Sequence, residues 1–384
     1  MPTAPLDALD SRTGRAVRLT CADGRITSLA PLATGPAGLP VLLPPLVDLQ
    51  VNGFAGVDFQ DDACTGADLE RAVTALAAAA CHRFLLTLIT DRWDRLLARL
   101  RHHRALRAAS PRLTRTIAGW HIEGPFLSPR EGFHGAHPPE FMLAPTPERL
   151  RELRAAAGDD LVLLTMAAEW PESPAAIRCA RELGFRVWLG HTDASPAQLA
   201  AAVAAGAEGF THLGNGCPVE WHRHDNIVFR VLDEPGLRVS LIPDGIHVST
   251  SLFRLFHRAL DPSRICYTTD AISAGGAGPG RYRLAGKELE VGADGVVREP
   301  GRSNYAGSSL APLEGVRRAA DMLHRPVAEI WPRFSTRPAA FLGLAPTLVP
   351  GAPADFCLLH DTAPGSRIEI HLSGEPVHEV VWPT

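Results

Sequence analysis

Several polar residues follow short apolar runs, at a spacing that would bring carboxylate and imidazole groups to one edge of a sheet. They stand in the stretches GWHIEGPF, LGHTDAS, FTHLGNG, IPDGIHVS and TTDAISAGG, and they are His121, Glu123, His191, His212, Asp244, His247 and Asp270. A glutamate, two histidines and a further carboxylate suit a hydrolytic metal, which takes three protein ligands, keeps an open position for water and uses a nearby proton acceptor. The pattern therefore predicts a hydrolytic metal site.

Each of these residues also has a structural explanation when it is taken alone. A histidine at the end of a strand is more often a hydrogen-bonded structural residue than a ligand. Glu123 could pair with an arginine, and Asp270 could cap the segment that follows it. The metal site is favoured because Glu123, His191, His212 and Asp270 all fall at the same end of successive predicted strands.

The stretch PPLVDLQVNGFAGVDFQ, residues 44–60, offers a different pair of polar side chains. Side chains alternate along a strand, so Gln50 and Asn52 leave the same face near its carboxyl end. Both are amides, which bind metals weakly, where a two-metal site would have a pair of histidines. Whether this strand begins a metal site is left open by the residues themselves.

The elements that must position these residues alternate between strands and helices. The strand candidates are 45–51, 83–90, 116–121, 161–166, 186–190, 209–213, 238–242 and 265–269. Helices are predicted at 66–80 and 195–206, and the second has Ser195 as its N-cap and Pro196 at its first position. Eight strands, most followed by a helix, predict an α/β fold of the (β/α)₈ TIM-barrel type, whose active sites lie at the carboxyl ends of the strands.

The two ends of the chain do not fit the barrel. Residues 1–44 contain two short strands around an Asp23-Gly24 hairpin turn, and residues 346–384 contain the strand-like stretches DFCLLHD and VHEVVW. We therefore expect three parts: residues 1–44 and 346–384 form a small β-domain (a β-sandwich), and residues 45–345 form the catalytic barrel.

Composition excludes several classes of function. A formal net charge of −4 gives no basic surface for nucleic acid. No apolar stretch approaches the ~20 residues of a membrane helix. The start, MPTAPLDALDSRTGR, lacks the basic and apolar regions of a signal peptide. Seven cysteines without a C-x-x-C pair suit a reducing compartment. We expect a cytoplasmic protein with no nucleic-acid or membrane partner.

A set of ordered motifs runs along nearly the whole chain. They are VDLQVNGFAGVDF, HIEGPFLSP, GAHPPEF, GHTDAS, THLGNG, DGIHV, TTDAISAGG, AGSSLAPLEGVRRA and VPGAPADFCLLHD. In order and spacing the chain resembles the N-acetylglucosamine-6-phosphate deacetylases of the amidohydrolase superfamily. The family's fold, a metal-dependent barrel with a β-sandwich from both termini, agrees with the architecture predicted above.

The resemblance implies a role for each motif residue. Glu123, His191 and His212 would bind one divalent metal, with zinc expected and iron, manganese or cobalt as alternatives. Asp270 would take a proton from the attacking water and then protonate the departing amine, which is feasible because the two transfers are sequential. His137 would polarise the acetamide carbonyl or hold the sugar.

The resemblance also explains the two amides. One branch of the deacetylases has Gln-x-Asn in place of the His-x-His of two-metal members and works with one metal. Gln50 and Asn52 would then support the site by hydrogen bonding.

The remaining predicted residues concern the substrate. The resemblance implies that Ala136 and His247 bind the substrate, and that Asn215 and Gly216 form the first part of its phosphate pocket. An arginine in the neighbouring subunit of a homodimer would bind its phosphate, and Arg223 stands at about the right distance along the chain. The segment CPVEWHRHDNIVFR departs from the family's usual Gly-Arg-Glu-Pro-Gly, and a solvated basic loop is the alternative for Arg223.

Three functions are compatible with these residues. The first is hydrolysis of N-acetylglucosamine 6-phosphate to glucosamine 6-phosphate and acetate. The second is the same chemistry on a different or unphosphorylated N-acyl amino sugar, which the divergent loop at 217–230 would mark. The third is a non-catalytic binding barrel, which the presence of all three ligands and of Asp270 disfavours.

Overall fold

The structure is a computed structural model, and it describes residues 4–33, 35–301, 305–362 and 365–383. Its centre is a sheet of eight parallel strands in sequential order. The barrel strands, first to eighth, are Leu46–Val51, Cys81–Ile89, Ile117–Glu123, Val162–Met166, Arg186–Leu189, Gly209–Phe210, Arg238–Leu241 and Ile265–Tyr267. All eight predicted strands and the predicted barrel are confirmed.

The barrel strands are apolar because both faces are covered. All six residues of Leu46–Val51 are buried, as expected for a parallel strand between a barrel interior and a ring of helices. The sixth and eighth strands end earlier than predicted, at Phe210 and Tyr267. There the backbone leaves extended geometry, and His212 and Asp270 adopt positive φ angles.

The first and eighth strands meet along a seam that nearly closes the barrel. Val51 bridges to Ala271 in parallel. Below this bridge the buried Asp48 carboxylate accepts hydrogen bonds from the hydroxyls of Thr268 and Thr269, each at 2.6 Å, and from the Thr269 backbone N–H at 3.1 Å. The seam fixes the residue that follows it, Asp270.

Helices surround the barrel. The α-helices are Gly66–Ala78, Trp93–Ala108, Pro111–Thr116, Pro147–Ala157, Ser173–Glu182, Pro196–Ala205, Ile227–Asp233, Thr250–Ala259, Pro312–Leu323, Val327–Ile330 and Thr336–Leu342, and short 3₁₀ turns are Pro139–Phe141, Pro262–Arg264 and Trp331–Phe334. Both predicted helices are confirmed, and Ser195 caps the second through a capping box with Gln198. None of the helices in the described ranges has the length and apolarity needed to cross a membrane.

The amino end of the barrel is filled by side chains. Inward-facing residues pack with two residues of helix Thr336–Leu342 in one cluster: Val47, Leu49, Leu85, Leu163, Trp188, Cys266, Phe341 and Leu342. Because this end is closed, a ligand can reach the barrel interior only from the carboxyl ends of the strands.

The chain termini form one seven-stranded sheet beside the barrel. Its strands are Leu6–Asp10, Arg15–Ala22, Arg25–Pro31, Val41–Leu43, Phe356–Thr362, Gly365–Leu372 and Glu375–Pro383. The predicted turn at Asp23-Gly24 joins the second and third of these strands. The outer limits predicted for this domain, Met1 and Thr384, lie outside the described residues.

Two small antiparallel elements were not predicted. A hairpin of Gly53–Phe54 and Val57–Asp58 follows the first barrel strand, and a three-stranded sheet of Gly280–Leu284, Lys287–Val291 and Val297–Arg298 follows the eighth. The second element places Leu284 on the wall of the cavity described below.

Candidate active site

A cavity of about 340 Å³ opens at the carboxyl ends of the barrel strands. It brings together ten of the twelve predicted site residues, which are Asn52, Glu123, Ala136, His137, His191, His212, Asn215, Gly216, His247 and Asp270. Gln50 lies behind this wall and is buried. Arg223 is exposed in the loop that follows the sixth strand and does not line the cavity of its own chain.

Three potential ligands converge at the floor of the cavity. The donor atoms of Glu123, His191 and His212 all lie within 4.8 Å of one another, and all three side chains are buried. Glu123 Oε1 is 2.8 Å from His212 Nε2 and 3.4 Å from His191 Nε2. Ligands held at about 2.0–2.1 Å in a tetrahedral zinc site lie roughly 3.3 Å apart, so the spacing suits such an ion.

The hydrogen bonds around this cluster also suit a metal. His191 Nδ1 lies 2.8 Å from the Phe133 carbonyl oxygen, which can only accept, so its Nε2 carries the free lone pair toward Glu123. His212 Nδ1 is buried and has no hydrogen-bond partner among the described residues. One carboxylate and two imidazoles are the donors that zinc or another first-row divalent metal takes in hydrolases. The residues therefore fit the ion.

His137 stands beside the cluster, and its hydrogen is on the opposite ring nitrogen from that of His191. Its Nδ1 accepts the backbone N–H of Thr90 at 3.4 Å and contacts the Thr90 hydroxyl at 2.9 Å. Its Nε2 must then carry the hydrogen, and it points to Glu123 Oε2 at 3.5 Å. Burial lowers the pKa of His137, so the ring is a neutral donor at neutral pH.

The pKa values of the two carboxyl groups in the site are shifted in opposite directions. Burial opposes the ionisation of Glu123, but the three histidines around it, His137, His191 and His212, hold its pKa well below its ordinary value. Burial, together with the charge of Glu123, raises the pKa of Asp270 to about 6. A carboxyl group with this pKa is ionised at neutral pH and is still basic enough to accept a proton from a nucleophile.

Both amides of the first strand donate to Asp270. Gln50 Nε2 lies 2.9 Å and Asn52 Nδ2 2.7 Å from the same oxygen, Oδ1. Gln50 is itself oriented by the Thr211 hydroxyl, which donates to its Oε1 at 2.7 Å. Within the described residues no second group of three potential ligands occurs. The amides therefore hold the carboxylate in place, leaving its Oδ2 oxygen for the cavity.

The backbone at three of these residues is strained. His191, His212 and Asp270 have φ angles of 49°, 33° and 51°, a region that costs a residue other than glycine about 1–3 kcal/mol. Such strain persists only where the surrounding structure imposes it, and here it turns each side chain inward from a strand end. Residue types and spacing give no signal of it.

The far side of the cavity offers unsatisfied polar groups. His247 Nδ1 lies 2.6 Å from the Asp244 carboxylate, which raises the His247 pKa against the effect of burial. His247 Nε2 and Asn52 Oδ1 are buried and have no partner among the described residues, and both residues line the cavity. A ligand that pairs with them would remove a desolvation cost of about 1–3 kcal/mol each.

Sequence reasoning missed some of the residues that support the site. It gave no role to Asp48, Thr90 or Tyr305, whose ring contacts that of His247 at a centroid distance of 5.4 Å. Asp48 could have been noticed as a carboxylate inside an otherwise apolar strand. In contrast, His121 lies outside the cavity, where it contacts the Leu49 carbonyl and the Thr165 hydroxyl. It is a structural residue.

The loop after the sixth strand forms one wall of the cavity. Gly216 has a φ of +60°, and a Cβ added there would lie 2.7 Å from His191 Nδ1, so a larger residue would push the imidazole. Beyond it, Pro218, Val219 and Trp221 also line the cavity, and the Val219 side chain is fully exposed. The rim is therefore apolar and open on this side.

Comparisons with known proteins agree with this geometry. The chain is 32% identical over 360 residues to the N-acetylglucosamine-6-phosphate deacetylase of Mus musculus, covering 89% of this chain and 83% of the relative. It is 31% identical over 334 residues to the N-acetylgalactosamine-6-phosphate deacetylase of Escherichia coli O157:H7, covering 85% of each. No protein-family model matches.

Solved structures of deacetylases are also similar to this chain. The N-acetyl-D-glucosamine-6-phosphate deacetylase of Mycobacterium smegmatis superposes with a TM-score of 0.84 at 29% identity, covering 98% of this chain and 100% of that one. A variant of that enzyme in complex with N-acetyl-D-glucosamine-6-phosphate gives a TM-score of 0.83 at 28% identity, covering 97% and 99%. The Burkholderia multivorans N-isopropylammelide isopropylaminohydrolase, at 16% identity and a TM-score of 0.55, shares the fold.

Proposed function

The chain belongs to the N-acetylglucosamine-6-phosphate deacetylase family, and from that premise we propose how its residues hydrolyse the acetamide of N-acetylglucosamine 6-phosphate to glucosamine 6-phosphate and acetate. One observation carries the proposal. Glu123, His191, His212 and Asp270 lie around one cavity at the carboxyl ends of the barrel strands. A non-catalytic barrel would have no need of a strained backbone at three of these four residues.

Glu123, His191 and His212 hold one divalent metal, with zinc the first choice and iron, manganese or cobalt the alternatives. The donor set and its spacing support this assignment. When bound, the ion polarises the acetamide carbonyl and lowers the pKa of water. Gln50 and Asn52 leave no anionic or imidazole pair at the first strand, so we assign one metal per chain.

Asp270 is the proton carrier. It accepts a proton from the water that attacks the acetamide carbonyl and gives the same proton to the amine as the C–N bond breaks. One carboxylate can do both because the two transfers follow each other. Gln50 and Asn52 hold Oδ1, so Oδ2 is the oxygen that moves the proton.

His137 orients the acetamide. Its Nε2–H, fixed by Thr90, donates to the carbonyl oxygen on which negative charge develops. Because the His137 pKa is lowered, the ring donates a hydrogen bond without competing for the proton that Asp270 carries.

The sugar phosphate lies toward the loop after the sixth strand. Ala136, Asn215, Gly216 and His247 line this end of the cavity, and His247 Nε2 is available to the ligand. Arg223 does not line the cavity of its own chain. We assign it to the cavity of a second copy in a homodimer, where its guanidinium pairs with the phosphate.

A second candidate substrate is a sugar of different configuration or without phosphate. Two observations favour keeping it. One relative at 31% identity is named for N-acetylgalactosamine 6-phosphate, and the rim carries the exposed Val219 and the departure from Gly-Arg-Glu-Pro-Gly at 217–230.

The test is a deacetylation screen on metal-analysed protein. N-acetylglucosamine and N-acetylgalactosamine are each supplied with and without 6-phosphate, and free amine and acetate are measured. We expect N-acetylglucosamine 6-phosphate to give the highest kcat/KM. A higher value for an unphosphorylated sugar would overturn the phosphosugar assignment and leave the deacetylase chemistry in place. We place the enzyme in the cytoplasm, where phosphosugars are metabolised.

A further inference from the structure

A second cavity, of about 540 Å³, lies at the opposite end of the barrel from the candidate active site. We call it the basic cavity, and its lining residues are Arg254, His257, Arg258, Pro262, Ile265, Leu323, His324, Arg325, Glu329, Ile330 and Arg333. It opens beside Ile265, the first residue of the eighth strand, whereas Asp270 follows the last. Ile265 and Asp270 are five residues apart in the chain, and the strand between them ends at Tyr267.

The charges around the basic cavity do not balance. Four arginines face one glutamate, although the whole chain carries a formal net charge of −4. Among the described residues, the only carboxylate within ion-pair distance of these arginines is Glu329, which lies 3.6 Å from Arg325. Elsewhere the common pattern is an arginine paired with a carboxylate, as at Arg99, Arg230 and Arg317.

Main-chain oxygens take the place of carboxylates here. Arg254 donates to the Met322 carbonyl and contacts His324 Nε2 at 2.8 Å, and Arg333 donates to the Glu329 carbonyl at 2.8 Å. These bonds orient the guanidinium groups without neutralising them. Arg333 Nε is buried and has no partner in the described chain.

The surrounding groups respond to this excess of positive charge. Burial, and then the charges of Arg333 and Arg337, lower the pKa of His257 to about 4. Burial and the charge of Arg333 also lower the pKa of Arg337. An anion in the cavity would offset the contribution of the arginine charges to both shifts, because it would be the missing counter-charge.

We propose that the basic cavity binds a small ligand that carries a phosphate or diphosphate group. Arg258 and Arg333, which have no carboxylate partner in the described part of the chain, supply the charge-assisted hydrogen bonds, since a guanidinium fork matches the geometry of phosphate oxygens. Ile265, Leu323 and Ile330 give the cavity an apolar wall. Its volume lies within the usual range for small-ligand sites of about 300–1,000 Å³. The proposal is independent of the substrate assignment.

Isothermal titration calorimetry of the full-length metalloenzyme with inorganic pyrophosphate tests this. We expect Arg258→Ala/Arg333→Gln to raise the Kd at least tenfold, and raised salt to weaken the wild-type binding. Arg178→Ala, which removes an exposed arginine from helix Ser173–Glu182, is the matched control and should leave the Kd unchanged.

Three results would overturn the proposal. These are the absence of binding to the wild type, an equal Kd in the double variant, and binding that survives in the double variant but disappears in His212→Ala. The last would place pyrophosphate on the active-site metal. Circular dichroism and retained deacetylase turnover of the double variant show that it is folded, so a lost signal reports the site itself.

Discussion

At the floor of the candidate active site, Glu123 and His212 are buried and Asp270 is half-buried, and each makes hydrogen bonds to its neighbours. On the rim of the same cavity Val219 is fully exposed, and farther along the same loop Arg223 is exposed and does not line the cavity. The floor is completed within one chain by the barrel strands. By our proposal, a ligand and a second copy complete the rim. The residues proposed for the chemistry are therefore positioned by the fold, whereas those proposed for substrate choice include residues of a loop.

The largest effect is expected at the floor. His212→Ala removes one of three ligands, so bound metal should fall from one per chain to near zero and turnover should be lost. Elemental analysis and a deacetylation assay on the same preparation measure both. Two tightly held metals per wild-type chain would contradict the mononuclear assignment.

Asp270→Asn separates proton transfer from metal binding. The amide cannot accept the proton, so kcat should fall by about 10²–10⁴-fold while the metal content stays at one per chain. Rapid-quench or steady-state assays measure the fall. Unchanged turnover in this variant would remove Asp270 from the mechanism.

A substitution of Arg223 should affect the phosphorylated and the unphosphorylated substrate differently. Arg223→Ala should lower kcat/KM for the phosphosugar by about 10- to 100-fold, because a charge-assisted bond contributes ~1.5–3 kcal/mol. It should hardly change the hydrolysis of the unphosphorylated sugar. An equal loss on both substrates would make Arg223 structural, and a fully active monomer would remove the shared site.

Asp48→Asn tests whether the seam positions Asp270. Loss of its charged hydrogen bonds to Thr268 and Thr269 should lower the free energy of unfolding by about 2–3 kcal/mol and kcat by roughly tenfold. Asp58→Asn is the matched control, since burial also raises the Asp58 pKa to about 6 but its backbone partners lie outside the seam. Asp58→Asn should lower the free energy of unfolding and leave kcat unchanged. Equal kcat values for the two variants would count against a positioning role.

The smallest effect concerns pH. Asp270 acts as a base only when ionised, so kcat/KM should fall about tenfold per pH unit below its pKa of about 6. Asn52→Leu removes a hydrogen bond that favours the ionised form, so the acidic limb of the pH profile should move to higher pH. A limb near pH 4 in the wild type would contradict the raised pKa.

The sequence predicted the floor far better than the rim. Apolar runs such as 83–90 show where strands end, and barrel active sites lie at those ends, so Glu123 and His191 could be placed from spacing. The positive φ angles and the contact of Thr90 with His137 could not be predicted from spacing, because they depend on residues distant in the chain. Arg223 could be matched to the family's phosphate-binding arginine by its distance along the chain. Its place in the structure could not be predicted, since its loop has no periodic pattern.

The seam also has a consequence for how the enzyme is made. The Asp48 and Thr268 side chains that meet there are 220 residues apart in the chain. Contacts of such long range form late, because the entropy of closing a long loop opposes them until other structure has shortened the path. A chain emerging from the ribosome carries its metal ligands well before Asp270. We expect refolding experiments to show metal uptake before turnover returns, so that activity marks the moment at which the barrel closes.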